Sequence, residues 1–269
     1  MVNWVQVAKQ QLVHRLAKKA GLQLRAVDVD DAGTVMNFWV PKDKLPASTE
    51  TAAERRKTEA KRDSSRLAVV LLHGFAGDGI FTWALQVGAL AKHYDVYVRD
   101  LLFFGGLASP AGGWSPAFQA ECVAAALRRL GVERCAVVGF SYGGFVAFRM
   151  AEAHPVLVAS VVATGTLVDM TRSTSERMLR RLGAASFAEL LLILTDILLL
   201  WGENDSIFTV ELASQLKEQP GEKAALRSVS EAGHLVMLER PRAFNRCLRE
   251  FLVQQQQPRA TTATAEAGL

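Results

Sequence analysis

The sequence predicts an α/β chain built on a mostly parallel sheet with helices on both faces, and three observations carry that prediction. From Leu67 onward, short aliphatic runs alternate with longer helical segments: LAVVLL, 80–91, YDVYV, 116–130, CAVVG, 142–153 and LVASVVA. The runs are apolar at successive positions, which suits strands buried under helices on both sides. A second set then repeats the alternation, with ILLLWG, a helix near 209–218, the short run Ala225 to Val229 and a helix from Pro241 to Val253. Alternation of this kind stacks into helix, sheet and helix layers. Pro241 suits the first turn of the last helix, where its missing N–H costs nothing.

The elements before Leu67 read differently. In the first 22 residues Val5, Ala8, Leu12 and Leu16 recur at helical spacing beneath lysines and arginines. This amphipathic helix is read as docked on its own domain, in preference to a membrane-surface anchor or an organelle presequence. Arg25 to Val29 and Thr34 to Val40 flank the turn cluster Asp30-Asp31-Ala32-Gly33 and predict a β-hairpin. Residues 46–65 hold Ser, Thr, Ala and mixed charge with no larger aliphatic, so they read as a solvated insertion. The interleaved Glu54, Glu59 and Asp63 make Arg55-Arg56-Lys57 an exposed charged face and not a nuclear-localisation signal. Residues 254–269 are of low complexity and are expected to be disordered, which leaves 1–253 as one domain.

Composition limits the function. The chain has 269 residues, 31 basic and 27 acidic, hence a net charge of +4. So small an excess, with no basic stripe along one element, does not imply a nucleic-acid partner. Cys122, Cys135 and Cys247 are odd in number and in no ligand spacing, which argues against a disulfide framework or a zinc site and fits a reducing, cytoplasmic setting. The most apolar run, Phe187 to Trp201, carries Glu189 and Asp196 and falls short of the roughly 20 residues that cross a bilayer.

The chemistry gathers at strand ends. Strand CAVVG runs into Gly139-Phe140-Ser141-Tyr142-Gly143-Gly144 and then a helix, a G-x-S-x-G pattern at a strand-to-helix turn. Such a turn strains the serine backbone and exposes its Oγ. His234 and Asp205 also follow strands, which is where an open parallel sheet collects its site, and the chain order is Ser141, Asp205, His234. Asp169 and Glu203 are alternatives for the acid, with Asp205 preferred because Asp169 precedes a polar segment. His14, His93 and His154 fall on helices or helix ends and read as surface or packing residues. Leu72-His73-Gly74-Phe75-Ala76-Gly77, after the first parallel strand, supplies a loop whose backbone N–H groups could meet an oxyanion. The donors assigned are those of Phe75 and Tyr142, with His73 structural. No G-K-[ST] follows, so the loop is not a phosphate cradle.

These motifs together resemble the α/β-hydrolase superfamily, most closely plant serine-hydrolase members with an N-terminal FWVPK-type strand, over roughly residues 1–45 and 67–253. The resemblance implies an eight-stranded, mostly parallel sheet, a nucleophile elbow at Ser141, no cofactor and no metal. Its activity would be hydrolysis of an ester or related acyl bond in a small-molecule substrate. Some relatives break carbon–carbon bonds; those that open epoxides use an elbow aspartate, and Ser141 argues against them. Phe103 and Phe104 stand where relatives carry an Asp-x-x-Gly-x-Gly-x-Ser stretch and are candidates for the pocket or for packing. Residues 167–195 replace the helical cap of relatives and imply a reduced cap over an open cleft. A ligand-binding receptor or degenerate scaffold on the same fold is the alternative function.

Overall fold

The computed structural model describes residues 4–30, 33–44, 66–74, 78–101, 115–166, 196–218 and 224–256. The solvated insertion, the reduced cap, residues 257–269 of the tail, Phe75, Phe103, Phe104 and Asp169 lie outside them. Residues 254–256, expected to begin a disordered tail, instead continue the last helix (Pro241–Gln256), whose backbone hydrogen bonding carries past the last apolar position.

Helix α1 (Trp4–Lys19) leads into strands β1 (Leu22–Asp28) and β2 (Val35–Pro41), which pair antiparallel as a hairpin. Next come β3 (Ala68–Leu72), helices α2 (Gly79–Thr82) and α3 (Ala84–Leu90), β4 (Asp95–Arg99), α4 (Pro116–Arg129), β5 (Cys135–Phe140), α5 (Tyr142–Ala153) and β6 (Val158–Thr164). The chain continues with β7 (Asp196–Gly202), α6 (Val210–Glu218), β8 (Ala224–Val229), α7 (Val236–Glu239) and α8 (Pro241–Gln256). The eight strands form one sheet in the order β1-β2-β4-β3-β5-β6-β7-β8. β2 meets β4 antiparallel, and every pairing from β4 to β8 is parallel. The expected eight-stranded, mostly parallel α/β-hydrolase fold is therefore present.

Two apolar layers cover the sheet, and strand alternation divides them. Val70, Leu72, Val137 and Leu199 face α4, α5 and α6, whereas Val69, Leu71, Val138 and Leu198 face the helices on the other side. Because successive side chains point to opposite faces, a strand covered on both sides must be apolar throughout, as β3 and β5 are.

The expected helix at 80–91 is two helices. Asp78 caps the first, accepting from Phe81 N at 2.7 Å, and Trp83 ends it with φ −107° and ψ 14°. The break lets the fully buried Trp83 indole pack beside Phe244 of α8, with ring centroids 6.1 Å apart. α1 docks on this layer through Val13 and Ala17. His14, half-buried, sets its ring edge-on to Trp39 of β2 at 4.9 Å.

Candidate active site

The sheet order reverses direction at β3: β4 lies on one side of it and β5 on the other. A crevice outside the strand ends opens at such a switch point. Its two walls are the loop after β3, beginning at His73, and the turn after β5, which holds Ser141.

Ser141 has φ 50° and ψ −118°, in the left-handed region that L side chains rarely adopt. Strain of this kind persists only where surrounding packing enforces it. Gly139 and Gly143 show how: a Cβ on Gly139 would lie 2.4 Å from the Gly143 carbonyl oxygen, and one on Gly143 would lie 2.5 Å from the Leu72 and His73 carbonyl oxygens. The spacing G-x-S-x-G thus seats β5, the turn and α5 directly against the end of β3. Ser141 N donates to Thr164 O at 3.0 Å, which ties the turn to the end of β6. Tyr142 opens α5 immediately behind it.

Asp205 and His234 meet across two loops. His234 Nδ1 lies 2.9 Å from Asp205 Oδ2, and the other carboxylate oxygen accepts from Ile207 N and Phe208 N, each at 2.9 Å. Asp205 is only 4% exposed, so these donors take the place of water around its charge. Trp201 Nε1 donates to Phe208 O at 2.7 Å and fixes the same loop. The imidazole sits between Phe140 and Phe208, with ring centroids 4.9 and 5.7 Å away. Since Phe140 immediately precedes Ser141, this packing places His234 beside the elbow.

The His234 loop has a clamp of its own. Glu239 accepts from Gly233 N at 2.7 Å and from Leu235 N at 3.1 Å, so one carboxylate holds the backbone on both sides of the histidine. Sequence reasoning missed Glu239, Phe140 and Phe208. The signal for Glu239 was its place one short helix after Gly233-His234; the aromatic contacts arise from distant loops and leave no local pattern.

His73 is fully buried and anchors the opposite wall. Its Nδ1–H donates to Gly74 O at 2.7 Å, while Nε2 accepts from Leu101 N at 2.9 Å. A carbonyl can only accept and an amide N–H only donate, which fixes the tautomer. Burial pushes the His73 pKa down to about 4, with nearby Arg99 adding to the effect. A neutral imidazole bonded on both sides to backbone matches the structural role expected for it. Asp100 extends the anchor by accepting from Gly79 N at 2.7 Å. Among the described residues, no group of three or more His, Cys, Asp or Glu side chains is placed to hold a metal ion.

Sheet order, strained elbow and rim loops together define the α/β-hydrolase fold, and comparison with known proteins agrees. Residues 68–189 match the family model described as alpha/beta hydrolase fold. Pimeloyl-(acyl-carrier protein) methyl ester esterase of Aeromonas hydrophila subsp. hydrophila is 39% identical over 101 residues, covering 36% of this chain and 37% of that protein. Fluoroacetate dehalogenase of a Burkholderia species is 36% identical over 99 residues, 35% of this chain and 32% of its own. The chain spans well under half the length of these curated relatives. Among solved structures, a thermophilic esterase from Thermogutta terrifontis superposes with a TM-score of 0.64 at 20% identity, covering 87% of this chain and 100% of the esterase.

Proposed function

We propose that this chain is a serine hydrolase that cleaves a carboxylic ester or related acyl bond through a covalent acyl-enzyme. The observation that supports it most is the pairing of a strained Ser141 with a His234–Asp205 couple on the same rim. With Nδ1 held by Asp205, His234 offers Nε2 to the serine hydroxyl. Ser141 Oγ attacks the acyl carbonyl carbon as Nε2 takes its proton, and the carbonyl oxygen becomes an oxyanion. Backbone N–H groups of Tyr142 and Phe75 stabilise that charge. Collapse expels the leaving group, which receives the proton from His234. Water then attacks the acyl-enzyme by the same route, with Nε2 as base, and frees Ser141. The buried carboxylate of Asp205 holds the productive tautomer and stabilises the imidazolium during each transfer. Phe103 and Phe104 stay candidates for the substrate pocket or for packing, and the spaced cysteines fit a reducing, cytoplasmic setting.

The test is turnover of a graded series of p-nitrophenyl esters alongside fluorophosphonate labelling. Wild type turns over repeatedly and labels, while Ser141→Ala does neither. Labelling without repeated turnover, or no labelling of the folded wild type, favours a ligand-binding scaffold and sinks the enzymatic reading. Unchanged turnover in Ser141→Ala removes the assigned nucleophile.

A further inference from the structure

We infer that the outer surface of α1, α2, α3 and α8 is a docking face for a membrane bearing anionic lipid, independently of the reaction proposed above. Large apolar side chains stand in the solvent there: Leu12 is 59% exposed, Leu16 41%, Phe81 45% and Leu85 46%. They are ordered, not scattered. Leu12 and Leu16 lie one turn apart on α1, and Phe81, Leu85, Gly88 and Lys92 run as one exposed stripe along α2, α3 and the turn that follows. The two stripes meet in a groove of about 300 Å³ that Leu16, Lys19, Ala84, Gly88 and Lys92 help to line.

Charge surrounds this apolar strip with one sign. Arg15 and Lys19 flank the α1 leucines, and Lys92 ends the α3 stripe. Along α8, Arg242, Arg246 and Arg249 are exposed at successive turns, beside Asn245, whose side chain donates to Leu85 O at 3.0 Å. Neither α1 nor residues 79–93 contains an acid. The neighbouring acids already have partners: Asp78 caps α2, Glu239 holds the Gly233 and Leu235 amides, and Glu250 pairs with Arg227. Six cations on one face, in a chain of net charge +4, are a marked asymmetry.

A continuous apolar strip rimmed by lysine and arginine suits the plane of a bilayer, where apolar side chains enter the acyl boundary and cations meet lipid phosphates and carboxylates. The contact is made by exposed side chains of surface helices, and among the described residues no helix is long and apolar enough to cross a membrane.

The test is co-sedimentation of the full chain with phosphatidylcholine vesicles, with and without about 30% phosphatidylserine. Wild type should sediment with the anionic vesicles at low salt and release as salt rises. Leu12→Ser with Phe81→Ser and Leu85→Ser should abolish binding. Arg15→Gln with Lys19→Gln and Lys92→Gln should weaken it on the order of 100-fold. These side chains are exposed, so circular dichroism and melting temperature should match wild type, and a variant that fails this check is replaced by its single-site members. No binding to anionic vesicles, equal binding to neutral ones, or variants that bind like wild type would overturn the inference. A dimer in light scattering that Leu85→Ser dissociates, with no vesicle binding, overturns it in favour of an interface between copies.

Discussion

At His73, burial outweighs the hydrogen bond to Gly74 O and creates a dependence of stability on pH. The folded side chain has a pKa of about 4, against 6.5 for the ordinary group. Between these values the unfolded chain binds a proton that the folded chain refuses. Stability from the neutral imidazole is therefore complete above pH 6.5 and is lost as pH falls toward 4. The shift corresponds to about 3 kcal/mol. His73→Asn, neutral at every pH, should be less stable than wild type at pH 7 because Leu101 N loses its partner. The gap between the two proteins, followed by chemical denaturation, should then narrow by about 3 kcal/mol on acidification to pH 4. Parallel stability curves would show that His73 is not the group refusing the proton. The sequence made His73 legible as structural through its place in the loop after β3. It could not reveal the depressed pKa, which depends on burial supplied by other elements and, secondarily, on Arg99.

Among the elements, those with the strongest local patterns were the most legible. The aliphatic runs of β3, β5 and β7 and the helix at 142–153 stand where their sequences put them, because a strand buried on both faces and a helix opening at a glycine-rich turn each impose a pattern of their own. The division of 80–91 into α2 and α3 was hidden, since it is driven by Trp83 reaching Phe244, far along the chain. The same contrast runs through the site. Ser141, Asp205 and His234 could be read from strand ends, but the two amides on Asp205 and the Glu239 clamp required loop conformations. The elbow itself gives a sharp prediction. In Gly139→Ala the new methyl group would overlap the backbone of the following helix, so either β5 or α5 must shift. Overpacking of this kind costs about 1–3 kcal/mol. The variant should melt lower than wild type, and the ester turnover proposed above should fall far more than the change in folded fraction explains, because Ser141 moves with the turn. A stable variant with full turnover would show that the elbow tolerates the shift.

For the molecule as a whole, α1 raises the question of whether the first edge of the fold is an accessory or a structural part. Its exposed stripe faces outward, but Val13 and Ala17 face inward among Leu22, Trp39, Ile80 and Leu90. Among the described residues, β1 is an edge strand that pairs with β2, and the β2–β4 ladder consists of Phe38–Arg99 and Trp39–Val98. α1 therefore braces the hairpin against α2 and α3 from outside the sheet, a role that hydrogen bonding at the narrow β2–β4 junction does not fill. Removing residues 1–19 would expose Trp39 and Leu22 along with the surface under Val13 and Ala17. That loss of burial amounts to about 3–6 kcal/mol at 1.5–3 kcal/mol for each large side chain uncovered. At about 2–4 °C per kcal/mol for a chain of this size, the melting temperature should fall by roughly 6–24 °C. Among the described residues, the parallel strands β3 to β8 pair with the hairpin through the β2–β4 contact alone, so most far-ultraviolet dichroism should survive below the new transition. A truncated chain that melts with wild type would assign α1 wholly to its outer surface, and one that fails to fold would make the hairpin and its brace part of the core.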